Sequence, residues 1–301
     1  MKEVNDMMAT VLLTSIMMLA CGAPRAEITT DTVQNRDFKE RDEINQTYKL
    51  APGTRVEVSS IRGPVEIINA DTTTAEVQII RSARTRADLE YHKIEIVHAD
   101  NSLVVHGVQE PEHRREQNVQ VNHQVILKLP RRIDLSVSSV SGSLKVGDVG
   151  GDTRVSSISG SVNFANVGGK LQVTSVSGNL DVDSVGAEAR VTSISGNVRL
   201  GQVNDSLDVT SVSGTLSATL VSLSPKGIHI KSVSGSIDIA FKSEVNADFS
   251  ATNVSGEVYL DVPNAIRDSE SKSPNVRARI GAGGTPITIS SVSGNIRLTR
   301  S

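Results

Sequence analysis

Around Gly178 the chain reads LQVTSVSGNLDVDSV, with apolar residues at Leu171, Val173, Val176, Leu180, Val182 and Val185. The steps between them are 2, 3, 4, 2 and 3, and Ala189 follows four further on. A step of two is strand alternation, and steps of three and four read as corners between strands. The pattern is a nine-residue half-unit used twice per coil. It carries no 3.6-residue period, so strands are predicted and helix is not.

The tripeptide Val/Ile-Ser-Gly places glycines at Gly142, Gly160, Gly178, Gly196, Gly214, Gly235, Gly256 and Gly294. Their spacings are 18, 18, 18, 18, 21, 21 and 38 residues. Regular spacing of this kind marks a stack of structural units. Two residues before each glycine stand Val140, Ile158, Val176, Ile194, Val212, Val233, Val254 and Val292. Two residues after stand Leu144, Val162, Leu180, Val198, Leu216, Ile237, Val258 and Ile296. Both columns read as inward aliphatic ladders, with like residues ~4.8 Å apart along the stack. The serines before them, such as Ser139, Ser157, Ser175, Ser193, Ser211, Ser232 and Ser291, read as corner hydroxyls. In this register Val176→Asp should break the core and Ser175→Asp should be mild. The glycines themselves suit corners that need positive φ. The predicted fold is all-β: a single-stranded parallel β-solenoid (β-helix) of about 18 residues per coil, right-handed by the preference of parallel crossovers.

The pattern extends outside the regular coils. Val56, Val58, Ile61, Gly63, Val65 and Ile67 match a repeat with Arg62 in place of serine, and strands are predicted at 75–82, 91–98, 102–108 and 118–129. Residues 46–301 thus form the domain, with irregular coils at 46–130, regular repeats at 131–260, an insertion at 261–284 and a last coil at 285–301. The insertion is expected to protrude or to cover the open end of the stack. Irregular loops on a rigid scaffold are common places for binding. The candidate interaction residues are therefore His113, Arg114 and Arg115 in one charged loop, and Arg267, Arg277 and Arg279 in the insertion.

Residues Met7 to Ala20 form a 14-residue apolar stretch, too short for an ordinary transmembrane helix and suited to a signal peptide. It ends in Met18-Leu19-Ala20-Cys21-Gly22, which resembles the lipobox of bacterial lipoproteins. The resemblance implies cleavage after residue 20 and acylation of Cys21. Met18 and Leu19 depart from the usual lipobox residues, and Lys2 is offset by Glu3 and Asp6. A cleaved, soluble periplasmic or secreted protein is the alternative. Residues 21–45 include RDFKERDE, which has no apolar periodicity, and read as a flexible tether.

Composition narrows the function more than it names it. The 301 residues carry 31 basic and 34 acidic side chains, a formal charge of −3 that argues against nucleic acid as partner. Aromatics make up 2%, with no Trp, so stacking platforms for bases or sugars are nearly excluded. The one cysteine forbids an intrachain disulfide. A Ser-Gly pair repeated eight times is structural, not a nucleophile elbow. His92, His98 and His106 are the best candidates for a metal site, and a weak set, since three convergent ligands are needed. Gly150-Gly151-Asp152 is a fragment of a calcium β-roll turn that the other coils lack. The outward column Lys145, Asn163, Asp181, Arg199, Ser217, Asp238, Tyr259 and Arg297 mixes signs, unlike the acidic clusters of pectin-degrading β-helix enzymes. Arg154, Gln172, Arg190, Asp208 and His229 break the flat hydroxyl array that ice binding would use. No metal and no cofactor are expected.

VEVSSIRGPVEI, LKLP before RIDLSVSSVSGSLKV, and the terminal GAGGTPITISSVSGNIRL resemble the bacterial "putative adhesin" domains of unknown function. The resemblance spans about residues 46–301 and implies an exported β-strand-repeat protein without catalytic residues to carry over. The expected function is a non-enzymatic cell-envelope lipoprotein with a structural, adhesion or protein-interaction role. Its partners would be the membrane, through the lipid, and a protein or glycan ligand. The alternatives are an envelope sensory module bound to a membrane signalling protein and, less favoured, a carbohydrate-active β-helix enzyme. Cys21→Ser should move the protein from the membrane fraction to the soluble exported fraction, or leave an unprocessed precursor, because several acyl chains anchor stably. A mature chain that begins at Glu27 without lipid would overturn the lipobox assignment.

Overall fold

A computed structural model describes residues 38–109, 121–268 and 275–301. Cys21, the apolar stretch before it, and His113, Arg114 and Arg115 lie outside the described residues. The amino-terminal part runs β1 (Glu40–Lys49), β2 (Thr54–Arg62), β3 (Val65–Ala70), β4 (Thr74–Ala83), α1 (Arg86–Tyr91), β5 (His92–Ala99), β6 (Ser102–Gln109) and β7 (Val121–Pro130). The regular coils supply β8 (Ile133–Ser141), β9 (Leu144–Val146), β10 (Thr153–Ser159), β11 (Val162–Val167), β12 (Leu171–Ser177), β13 (Leu180–Val185), β14 (Ala189–Ser195), β15 (Val198–Val203), β16 (Leu207–Ser213), β17 (Leu216–Leu220), β18 (Ile228–Ser234) and β19 (Ile237–Phe241). The end of the chain gives β20 (Ala247–Ser255), β21 (Val258–Asp261), β22 (Ala265–Arg267), β23 (Asn275–Ile280), β24 (Thr285–Ser293) and β25 (Ile296–Arg300).

Each regular coil gives one strand to each of two long parallel sheets, as a β-solenoid requires. One sheet is ordered β1-β4-β7-β3-β9-β11-β13-β15-β17-β19-β25-β21, and the other β22-β23-β20-β24-β18-β16-β14-β12-β10-β8-β2-β6-β5. Equivalent residues pair across coils, as Leu171 with Ala189, Val173 with Val191 and Ser175 with Ser193, and within the regular coils the register shifts only between Leu200 and Val203 of β15 against β17. Between the sheets lies one continuous core of Val, Leu and Ile with a few Ala and Phe.

The stack is not in chain order at its ends. The last coil, β24 and β25, inserts between the β18/β19 coil and the β20/β21 coil. Both ends also turn antiparallel, which the purely parallel expectation did not include. β1 pairs with β4, β4 with β7, and β5 with β6 in this sense. At the other end β23 pairs antiparallel with β20 and β22 with β23, so the 261–284 insertion extends one sheet edge. The tether boundary is corrected too, because residues 40–45 belong to β1. The strand forms despite its charges because β4 supplies a full antiparallel partner, from Glu40 with Ala83 to Lys49 with Thr74. A short helix, α1, is present where none was predicted. Thr85 accepts the Asp88 N–H (3.2 Å), the Asp88 carboxylate accepts the Thr85 N–H (3.1 Å), and Leu89 is buried. Local capping and one apolar anchor suffice for six residues that have no period.

The register at the corner is the main correction. Strand β12 alternates strictly, with Leu171, Val173 and Ser175 inward and Gln172, Thr174 and Val176 outward. The corner falls later, at residues 177–179, after which Leu180 and Val182 turn inward. The serine column is therefore buried, 2–8% exposed, and the valine/isoleucine column before the glycine is 37–70% exposed. The three-residue step from Val173 to Val176 is no corner, because the alternation runs on through Ser175. Small hydroxyls fit the narrow inside of the bend. Ser139 and Ser291 donate to the Ser141 and Ser293 carbonyls at 3.5 and 3.3 Å. Asn253 takes the place in β20 and donates to the Gly294 carbonyl (2.9 Å).

The glycine after each bend has φ between 106° and 125°. At Gly178 a Cβ would also lie 2.1 Å from the Gly160 carbonyl oxygen of the preceding coil. Positive φ and the approach of a neighbouring backbone each exclude a side chain there. Ser175→Asp is expected to cost about 3–5 kcal/mol, because it buries an unpaired charge. Val176→Asp should change stability by less than about 1 kcal/mol, as a surface substitution. Urea denaturation of the two variants checks this order, and a larger loss in Val176→Asp would overturn the observed register.

Candidate functional site

Alternation on the long strands decides what the solenoid shows to solvent. The outward end of each strand carries one aliphatic residue, and parallel pairing lines these up. In spatial order the rungs are Val140, Ile158, Val176, Ile194, Val212, Val233, Val292 and Val254. They are eight of the twelve exposed large hydrophobic residues among those described, so the exposed apolar surface is one ridge and not scatter. At ~4.8 Å per rung it runs roughly 34 Å. Contiguous apolar surface of this extent marks an interaction site on a soluble protein.

The ridge has defined borders. On its strand side lies a column of Ser138, Ser156, Thr174, Thr192, Thr210, Lys231, Ser290 and Thr252, all exposed. On its corner side stand exposed serines such as Ser177 and Ser195. At the amino-terminal end Ser60 takes φ 58°, which makes a bulge. Ile61 then pairs with Ser139 and enters the core, and the ridge stops at Val140. At the other end β23 begins at Asn275, opposite Thr252, and leaves Val254 70% exposed.

The other outward columns are tied up in structure. Arg199 pairs with Asp181 (2.8 Å), and Arg190 with Asp208 (3.2 Å) and Glu188 (3.1 Å). Lys226 also reaches Glu188 (2.7 Å), which holds the Glu188 carboxyl below its usual range. Arg297 lies over the Tyr259 ring, 5.7 Å from its centre. Asp134 and Asp152 accept the Asp152 and Lys170 backbone N–H groups of the next coil (3.0 and 2.8 Å). The Gly150-Gly151-Asp152 segment thus uses its carboxylate to join coils. An open groove of about 600 Å³ is lined by Glu66, Lys145, Asp148, Asn163, Asp181 and Asp183 among others. Within it Asp148 accepts from Arg131 (2.7 Å) and Asn166 (2.6 Å).

The insertion arginines do not form one patch. Arg277 and Arg279 lie two apart on β23, on its exposed side, and Arg279 approaches Asp248 (3.7 Å). Arg267 pairs with Ala278 on the opposite side of that hairpin and donates to the Val258 carbonyl (3.4 Å). The histidines do not converge either. His98 stacks on Tyr48 and contacts the Lys49 carbonyl (3.1 Å), His106 pairs with Glu95 (3.4 Å), and His92 is buried. Among the described residues no three His, Cys, Asp or Glu side chains are grouped to hold a metal.

His123, by contrast, is a buried titratable group that the sequence did not single out. It projects inward from β7, and neither ring nitrogen has a hydrogen-bond partner among the described residues. Burial, with His92, Arg81 and Arg62 nearby, pushes its pKa down to about 4. Burial and Arg62 lower that of His92 as well. Arg81 itself joins the two sheets at this end. It pairs with Asp42 of β1 and donates to the Leu89 and His92 carbonyls (3.1 and 3.2 Å). That pairing holds the Asp42 carboxyl below its usual value.

A comparison with known families decides the family. A family model matches residues 54–299, almost the whole described stack. The chain belongs to the Toastrack DUF4097 family. Several solved structures are similar to this Toastrack chain. One, described as a putative adhesin from Bacteroides fragilis NCTC 9343, is 16% identical, over 85% of this chain and 97% of its own, with a TM-score of 0.49. Another, described as a putative lipid binding protein from Parabacteroides distasonis ATCC 8503, is 12% identical over 86% and 97%, TM-score 0.39. A third, described as a putative adhesin from Parabacteroides merdae ATCC 43184, is 11% identical over 86% and 96%, TM-score 0.37. No curated protein matches the chain.

The buried histidine gives this Toastrack domain an acid-sensitive end. A group whose folded pKa is depressed supports the fold above its unfolded pKa and loses that support as pH falls. The loss attributable to His123 runs from about pH 6.5 to about pH 4 and reaches about 3 kcal/mol. Asp42 adds a separate loss, further down, as its carboxyl protonates. Denaturant melts at pH 7 and pH 4.5 should show His123→Leu losing less stability on acidification than the parent. An unchanged difference would remove His123 as the cause.

Proposed function

We propose that this chain is a non-enzymatic interaction protein of the bacterial cell envelope, exported and held to a membrane through Cys21, which adheres through its aliphatic ridge. The observation that carries the reading is the ridge itself: eight aliphatic side chains in one line, exposed, with serines on one side and, on the other, a column of hydroxyls interrupted only by Lys231. A folded protein stabilises itself by burying such residues, and here three to five buried apolar residues per strand pair, such as Leu171, Val173, Leu180, Val182 and Val185, already fill the core. Leaving one apolar residue of each coil on the outside, in line through eight coils, serves contact, not folding. The titratable groups of the regular coils that are paired serve the stack, which supports a binding role over a catalytic one.

This places the partner surface on the regular coils. On this reading the insertion at 261–284 serves mainly as an end of the scaffold, where β23 extends a sheet edge. The test is binding of the purified protein to envelopes from its own bacterium, compared with Ile194→Asp/Val212→Asp. The double variant should bind at least tenfold less with an unchanged melting temperature. Equal binding by both proteins would overturn the proposal.

A further inference from the structure

The ridge is periodic, and its period selects its partner. An α-helix laid along it has a 5.4 Å pitch against ~4.8 Å per rung, so over eight rungs the two drift by about one rung. A second copy of this chain has the same period by necessity. Building on the ridge reading above, we propose that the ridge docks the ridge of a second copy, with the two stacks antiparallel.

Area and charge both fit this occupant. The ridge exposes roughly 600 Å² of aliphatic surface, and with the hydroxyl column beside it the face approaches the ~800 Å² per partner of a stable interface. A two-fold axis parallel to the strands keeps each column over itself and reverses the order of coils. Centred between Ile194 and Val212, it sets Ile194 opposite Val212 of the second copy and Val176 opposite Val233. In the outer column Arg190 and Asp208, already paired within each chain, then face Asp208 and Arg190 of the second copy and form one four-charge network. Lys231 faces Thr174, Arg154 faces Thr288 and His229 faces Gln172, so no cation meets a cation in these two columns. The face is self-complementary, as an isologous dimer requires. The same operation sends the two β1 ends to opposite ends of the pair. Two chains tethered ahead of β1 on facing surfaces would be joined, which is adhesion between like cells.

Sedimentation equilibrium of the purified full chain tests this. The parent should dimerise at micromolar concentration, and Ile194→Asp should weaken the dimer at least tenfold. Arg190→Asp or Asp208→Arg alone should weaken it, and the double exchange R190D/D208R should restore it, because the pair across the axis is re-formed. Circular dichroism melts identify any variant that fails to fold, and Val212→Asp then replaces Ile194→Asp. A parent that stays monomeric at 100 µM, a dimer indifferent to Ile194→Asp, or an exchange that fails to rescue would each overturn the proposal. If the chain is monomeric while the double ridge variant still loses envelope binding, the second copy fails as partner and the ridge reading stands. If envelope binding is unchanged as well, both fail.

Discussion

Every property of this molecule depends on the parallel register between coils. A strand that slipped by one residue against its neighbour would turn all its inward side chains outward. The glycine at each bend holds that register in place. Its φ admits no ordinary residue, and the Gly160 carbonyl stands where a Cβ on Gly178 would be. Backbone packs on backbone at each bend, and the side chains of adjacent coils must then stack like on like. Side-chain amides add to this at the same corner: Asn179 accepts from the Asn197 N–H, and Asn197 from the Thr215 N–H, both at 3.0 Å.

Like-on-like stacking has a consequence for the surface. Any residue type that the repeat places outward becomes a column. Charged columns would repel themselves, and two outer columns lessen this by alternating sign, as at Arg190 and Asp208 or Asp181 and Arg199, while the adjacent Asp134 and Asp152 each accept a backbone N–H of the next coil. Aliphatic residues carry no such penalty, so their column persists through eight rungs. The ridge is thus what a strict repeat permits where charge is not interspersed. Its persistence through the 21-residue coils and the displaced last coil, where the loops change length, shows that it does not depend on one loop geometry.

The stack and its 18-residue period were legible in the sequence because the inward column after the glycine, Leu144 to Ile296, has both apolarity and spacing in agreement. The ridge was misread because the two signals conflict at one dipeptide. At Ser175-Val176 hydrophobicity points to valine as core, while alternation from Leu171 and Val173 points to serine. Alternation wins, since a strand cannot turn one residue over without a bulge. Such a bulge occurs at Ser60, where Ile61 enters the core that serines line elsewhere. The coil order at the carboxyl end was not legible, because equivalent columns fit any neighbour equally well. β1 was missed because its charges hide a strand whose partner, β4, lies across an intervening coil. His123 could be seen as an inward position of the run VNHQVILKL, but nothing in that run says that its ring would lack a partner.

The ends of the solenoid are built differently from its ridge side. Parallel stacks carry an inherent hazard, since an unpaired edge strand invites another chain. Here the amino-terminal edge is closed by antiparallel strands, with β1 presenting Glu40, Arg41, Asp42 and Glu43 along the last edge. Arg81 then clamps β1 and β4 to the carbonyls of Leu89 and His92. At the far end β23 and β22 extend one sheet, and the last edge is three residues long. Charge, brevity and antiparallel pairing all discourage end-to-end growth. Association through the edges would give open filaments, whereas association through one lateral ridge saturates after a single partner. A fold that blunts its edges and keeps an uncharged aliphatic line on its side leaves that line as the surface on which the proposed partner would dock.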